Sequence, residues 1–186
     1  PNTVHLDFAV NGNEKQGCKP HTVKFINASS GATNFQWNFG DGNQSNDLVN
    51  TNNIYTFSGN FNVALSLSTA QGCVFDTVVE NAITIFPVPN PYFVMYPQIA
   101  TLQNTTIDFN NQTVGASSYY WIFDTINNLG ESYDENPTFT FPDLVADNYY
   151  VKLTAYNVYG CESSLTQLLI VREDQTLYIP NSFTPN

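Results

Sequence analysis

The chain repeats itself. Val23-Lys24-Phe25-Ile26-Asn27 returns as Ile107-Asp108-Phe109-Asn110-Asn111, and Phe35-Gln36-Trp37-Asn38-Phe39 returns as Tyr119-Tyr120-Trp121-Ile122-Phe123, both 84 residues later. Asn60-Phe61-Asn62-Val63-Ala64-Leu65 returns as Asn148-Tyr149-Tyr150-Val151-Lys152-Leu153, and Gly72-Cys73 as Gly160-Cys161, now 88 residues later. The four extra residues fall between Phe123 and Tyr149, where a loop absorbs them at little entropic cost. Whatever fold one copy adopts is therefore adopted twice in 186 residues. The copies lie at 1–88 and 89–174, a normal size for a small domain, and 175–186 is left as a tail. Between the copies runs Phe86-Pro87-Val88-Pro89-Asn90-Pro91, a Pro-rich linker expected to be extended and stiff, so that the pair forms a rod.

Inside each copy the apolar period is 2, not 3.6. Phe61, Val63, Leu65 and Leu67 alternate with Asn62, Ala64, Ser66 and Ser68; Tyr149, Val151, Leu153 and Ala155 alternate with Tyr150, Lys152, Thr154 and Tyr156. Phe35, Trp37 and Phe39 share one face of another strand, with Trp37 as the expected core anchor. Turn signals recur every 8–12 residues, among them Asn11-Gly12, Gly40-Asp41-Gly42, Ser58-Gly59-Asn60 and Gln71-Gly72. No segment reads as a helix. Six or seven short strands per copy predict two all-β sandwiches in tandem.

Composition removes several functions. Only 11% of residues are charged, with 16 acids against 5 bases and a net charge of −11. Five scattered cations (Lys15, Lys19, Lys24, Lys152, Arg172) cannot neutralise a phosphate backbone, so nucleic acid is excluded as a partner, and an anionic membrane surface would repel the chain. No apolar run approaches the length of a bilayer span, so no membrane insertion is expected. The chain begins at Pro1 without Met or a signal-peptide pattern, as an excised or processed piece would.

Trp37-Asn38-Phe39-Gly40-Asp41-Gly42, with Tyr55-x-x-x-Gly59-x-Phe61-x-Val63-x-Leu65, resembles the hallmark of PKD domains, which are immunoglobulin-like sandwiches of this length. The resemblance implies the fold and says little of function. The second copy is degenerate: Trp121-Ile122-Phe123-Asp124-Thr125 keeps the aromatic pair and loses both glycines, so its turn is expected to be longer, running through Asn127-Asn128-Leu129-Gly130. Gly17-Cys18-Lys19-Pro20 and the Gly-Cys after the long strand resemble PKD repeats of large Bacteroidetes surface proteins. Tyr178-Ile179-Pro180-Asn181-Ser182-Phe183-Thr184-Pro185-Asn186 resembles the opening of the gliding-motility-associated C-terminal domain, a type IX secretion sorting signal. These resemblances imply an extracellular, cell-surface location and a parent that is a large adhesin. Its partners would be the neighbouring domains of the same long chain, the gliding and secretion machinery and, if it binds glycan, a surface polysaccharide.

In that setting an intradomain disulfide is the expected use of the cysteines. Cys18 and Cys73 fall in one copy and are expected to pair; Cys161 has no counterpart of Cys18 and is expected to be free. It would then be either a buried small apolar residue or an intermolecular, redox-active thiol.

No nucleophile elbow, zinc-binding, phosphate-binding or dinucleotide motif is present, and the sequence predicts no enzyme. No cofactor is required, although calcium has candidate ligands in Asp41, Asn43 and Asp47, and in Asp134, Glu135 and Asp143. Asn- and Asp-rich turns are also ordinary turn chemistry. Asp76-Thr77-Val78 and Asp124-Thr125-Ile126 resemble Bacteroidetes O-glycan acceptor sites at Thr77 and Thr125. Tyr120, Tyr150 and Tyr156 have the parity of an outward stripe, a candidate aromatic platform for sugar. Three functions follow: a stalk or spacer of an adhesin, a carbohydrate-binding module, and accessory domains of a secreted hydrolase.

Overall fold

The computed structural model describes residues 4–12, 14–47, 50–143 and 146–173, and the described chain contains strands and turns but no helix. The tail that resembles a sorting domain lies outside these residues. The chain divides into two units, Pro1–Val88 and Pro89–Asn186.

Unit 1 holds β1 (Phe8–Val10), β2 (Gln16–Cys18), β3 (His21–Asn27), β4 (Asn34–Asn38), β5 (Gln44–Ser45), β6 (Asn50–Tyr55), β7 (Gly59–Ser68) and β8 (Val74–Phe86). They form a three-stranded sheet, β1-β3-β6, and a five-stranded sheet, β2-β8-β7-β4-β5. Unit 2 holds β9 (Phe93–Tyr96), β10 (Ile99–Thr101), β11 (Thr106–Asn111), β12 (Ser118–Phe123), β13 (Gly130–Ser132), β14 (Thr138–Thr140), β15 (Asp147–Tyr156) and β16 (Glu162–Arg172). Its sheets are β14-β11-β9 and β10-β16-β15-β12-β13. The two topologies correspond strand for strand, including the parallel pairs β2–β8 and β10–β16.

Alternation explains the packing. Val23, Phe25, Trp37, Phe39, Val63, Leu65, Ile83 and Ile85 close one core, and Ile107, Phe109, Trp121, Phe123, Val151, Leu153, Leu169 and Val171 close the other. Both tryptophans have 0% exposure. Each is struck edge-on by a phenylalanine of the facing sheet, Phe8 at 5.4 Å and Phe93 at 5.0 Å between centroids. Full burial of side chains this size is worth roughly 2–3 kcal/mol apiece and carries the fold.

One irregularity separates the copies. The β7–β8 ladder shifts register between Phe61 and Val63, whereas β15 and β16 pair without a shift from Asp147↔Val171 to Tyr156↔Glu162. The extra residues make β8 13 long against 11 for β16. Asn81 takes them up in a left-handed conformation, φ 49°, with its N–H donating to Asn62 Oδ1 at 2.8 Å.

The cysteines depart from expectation. Cys73 is an exposed free thiol, while Cys18 and Cys161 are disulfide-bonded, so the Cys18–Cys73 bridge does not form and Cys161 is not free. The reason is strand length. Cys73 immediately precedes β8, and Cys18 pairs with Phe86 at the other end of that strand. At ~3.3 Å per residue the two ends lie about 40 Å apart, and a disulfide needs Cα atoms within about 7 Å.

Candidate functional site

The turn after each Trp-x-Phe strand is where polar side chains concentrate. In unit 1 the turn spans residues 40–42, and Phe39 N–H donates to Asn43 O at 3.2 Å. Gly40 sits at φ 79°, and a Cβ there would meet Asn62 O at 2.3 Å, so both backbone and space demand glycine. Asp41 accepts from Asn43 N at 3.0 Å and Asn43 Nδ2 at 3.0 Å, and from Asn53 Nδ2 at 2.7 Å. Asn53, on β6, is 6% exposed, so the carboxylate holds a buried amide in place. Of the three calcium candidates in unit 1, Asp41 and Asn43 thus come together, but with the carboxylate already occupied by amide donors.

The third, Asp47, belongs elsewhere. Its backbone O accepts the Trp37 indole Nε1–H at 3.2 Å, and its Oδ2 accepts from Ser45 Oγ at 2.7 Å while its N–H donates back to Ser45 Oγ. The hydroxyls of Ser45 and Thr51 hold its carboxyl below the usual carboxylate range. Unit 2 repeats the device: Trp121 Nε1–H donates to Asp134 O at 2.9 Å, and Ser132 binds Asp134 through the same pair of bonds. A Ser-x-Asp turn in each copy therefore satisfies the one polar atom of the core tryptophan. Its signal, Ser45/Asp47 against Ser132/Asp134 at a common offset of 87, was present in the sequence but is not part of the PKD-like motif. Among the described residues no three His, Cys, Asp or Glu side chains come together as a metal site would need.

Unit 2 makes its turn with residues 124–129, longer as expected. Asp124 takes the place of Gly40 and the same left-handed backbone, φ 74°. It is fully buried, and its carboxylate accepts from Ile126 N (3.2 Å), Asn127 N (3.2 Å), Asn127 Nδ2 (2.6 Å) and Tyr150 N (3.4 Å). Burial pushes its pKa up, but these donors outweigh it and hold the carboxyl below its ordinary range. Where unit 1 has Asn53, unit 2 has Phe139, stacked on Phe123 at 4.2 Å; Gly130 makes room, since a Cβ there would meet Phe139 Cε2 at 2.7 Å. Tyr55, whose hydroxyl donates to Phe39 O at 3.1 Å and whose phenol burial pushes up, is matched by Phe141.

The tyrosine stripe resolves into two places. Tyr120 stacks on Tyr133 at 5.1 Å and 30°. Burial, then Glu131, pushes the Tyr120 phenol up; burial, then Glu162, does the same to Tyr156, and both also feel Tyr133. Tyr120, Tyr133 and Tyr156 thus form one cluster flanked by two carboxylates. Tyr150, 40% exposed, lies six residues from Tyr156 along β15, about 20 Å away, beside the Asp124 turn. Tyr133, 73% exposed, carries no signal in the sequence, because the strand before it, β13, has only three residues and no alternation to read. Of the O-glycan candidates, Thr125 is exposed in the turn and Thr77 is half-buried in β8. A shallow depression of about 460 Å³ lies over Asn34, Gln36, Asn46, Ser66, Ser68 and Val74.

Residues 9–85 match the PKD domain family. The match falls within the first unit, the second unit repeats its topology, and the fold of the chain is all-β and PKD/immunoglobulin-like. Among solved structures, the PKD1 domain of Epp from Vibrio anguillarum is 21% identical, with 47% of this chain and 96% of that one covered at a TM-score of 0.38. A structure from a 1.5-MDa bacterial ice-binding adhesin is 10% identical over 95% of this chain and 66% of its own, TM-score 0.40. One of the carbohydrate-binding modules from the β-sandwich superfamily is 11% identical over 92% and 86%, TM-score 0.41. No curated protein matches.

Proposed function

We propose that this segment is a non-catalytic extracellular spacer within a large secreted cell-surface adhesin that acts in attachment and gliding. PKD and immunoglobulin-like domains are generally non-catalytic. The observation that carries the reading is where the turn acids spend their bonds. Asp41, Asp47, Asp124 and Asp134 all hold turns or flank the core tryptophans, and the same architecture is built twice. Repetition with each turn satisfied from within suits a part that sets distance and bears load. Resemblance of the tail to a type IX sorting signal supports the cell-surface setting. The test is replacement: exchanging both sandwiches in the parent protein for two unrelated immunoglobulin-like domains of equal span leaves attachment and gliding intact. Loss of attachment with normal surface display overturns the spacer reading.

A second reading, carbohydrate binding, is favoured by the cluster of Tyr120, Tyr133 and Tyr156, whose neighbours Glu131 and Glu162 would accept sugar hydroxyls. Glycan-array binding abolished in Tyr120→Ala/Tyr133→Ala supports it, and an array that stays blank retires it. An accessory role beside a secreted hydrolase would require a catalytic domain in the same parent protein.

A further inference from the structure

The free edge of the five-stranded sheet differs between the units. In unit 1 that edge is β8, which β2 covers only at Thr84, Ile85 and Phe86. Residues 74–79 pair with β7 on one side, and among the described residues no strand pairs with them on the other. The stretch 74–80 has no Pro, Lys or Arg, its charges are Asp76 and Glu80 alone, and its bulge lies at Asn81, beyond its end. It also displays large apolar side chains on both faces: Phe75 (41% exposed) and Val79 (44%) on the inner face, Val74 (64%) and Val78 (58%) on the outer.

Unit 2 is the internal control. By register, Leu65↔Thr77 corresponds to Leu153↔Leu165 and Val63↔Val79 to Val151↔Gln167, so Ser163 and Gln167 stand where unit 1 has Phe75 and Val79. Gln167 Nε2 donates to Phe93 O at 2.9 Å, tying that edge to the facing sheet. Phe93 and Met95 of β9 are buried, while Phe8 and Val10 of β1 are only half-buried. The small sheet of unit 1 thus stops short, and the inner face of its β8 overhangs.

We propose that this edge is a self-association site at which a second copy of the chain adds its own residues 74–80, antiparallel, across a two-fold axis through Thr77. The register is the argument. Centred on Thr77, the midpoint of the free stretch, it sets Phe75 opposite Val79 of the other copy twice and Thr77 opposite itself. Aromatic–β-branched and Thr–Thr pairs are among those that stabilise antiparallel strands. On the outer face Asp76 meets Val78. Centring on Asp76 would set Asp76 against itself, and centring on Val78 would set Asp76 against Glu80, both like-charge pairs. Asp76 moreover takes a hydrogen bond from Ser66 on β7, away from the free edge. The interface is isologous, so it closes at two copies and does not run on into a fibre. This inference is independent of the spacer reading: it rests on unit 1 alone.

The experiment is sedimentation equilibrium on the full 186-residue chain. The expected result is a monomer–dimer equilibrium with a constant on the order of 10–100 µM, as a small interface gives. It tightens as salt rises, because each copy carries −11 and screening relieves the repulsion. Phe75→Ser/Val79→Gln, which imports the edge of unit 2, weakens the dimer at least tenfold with an unchanged circular dichroism spectrum. Thr77→Cys in a Cys73→Ser background cross-links on mild oxidation, while Thr166→Cys in the same background does not. A chain that stays monomeric to 1 mM overturns the proposal. So does a dimer indifferent to Phe75→Ser/Val79→Gln, or a Thr77→Cys variant that cross-links no better than Thr166→Cys.

Discussion

The two turns that follow the core tryptophans solve one problem with opposite chemistry. Each must reverse the chain above a Phe of the core with a left-handed residue directly after that Phe. Unit 1 uses Gly40 for the backbone and fills the space beside it with polar groups, Asp41 clasping Asn43 and the buried Asn53. Unit 2 uses Asp124 for the same backbone, turns its carboxylate onto the amides of the loop, and fills the neighbouring space with Phe139 under Gly130. The strands and the tryptophans are common to both, so the fold depends on the core and tolerates either filling at its rim. The degenerate motif of the second copy marks a change in how the turn is satisfied, not a loss of the domain.

The core that the units share gives the largest expected effect. Trp37→Ala and Trp121→Ala should each cost about 3–5 kcal/mol, and hydrogen exchange should place the loss of protection in the unit that carries the substitution. Next come the left-handed residues directly after the core phenylalanines, Gly40 and Asp124, which should fail for different reasons. Gly40→Ala drives a Cβ into Asn62 O at φ 79° and should cost several kcal/mol at any pH, since neither backbone nor neighbour can move. Asp124→Ala leaves the loop amides unpaired and should cost about 2–3 kcal/mol at neutral pH.

The contrast sharpens in acid. The folded pKa of Asp124 is depressed, so its contribution is complete above the ordinary carboxylate value of about 3.9 and is lost as pH falls through the lower folded value. Chemical denaturation between pH 6 and pH 2 should show a loss in unit 2 that Asp124→Asn removes. A smaller penalty, about 1–2 kcal/mol, is expected for Gly130→Ala, where the neighbour is a side chain that can shift. Smallest of all, Cys73→Ser should stay within ±0.5 kcal/mol, because the thiol is exposed and unbonded; alkylation without reductant should label Cys73 and spare Cys18 and Cys161.

What could be read in advance was what has a period. Alternation in residues 61–67 and 149–155 named the core faces of β7 and β15, and the Trp-x-Phe pairs named the central strands. What could not be read was length and reach. Cys18 and Cys73 fall in one copy, but nothing local in the sequence says that one 13-residue strand stands between them. Asp41, Asn43 and Asp47 looked like one oxygen cluster because they are near in sequence; in the fold, Asp47 turns to Ser45 and serves Trp37. Tyr133 joins Tyr120 only through the β12–β13 pairing, a contact with no periodic signal. The free edge at residues 74–79 has no signal of its own in the sequence, since an uncovered edge is a property of the facing sheet.

The indole clamps have a spectroscopic consequence. The chain has two tryptophans, one per sandwich, each dry and each donating to the carbonyl of an aspartate. Native fluorescence should therefore be blue-shifted, and unfolding should carry it red as each indole exchanges an aspartate carbonyl for water. With Trp37→Phe or Trp121→Phe, the remaining tryptophan becomes a private optical probe of its own sandwich. The molecule is thus supplied with one intrinsic dye per domain, from which the melting of either can be followed in the intact chain without a label.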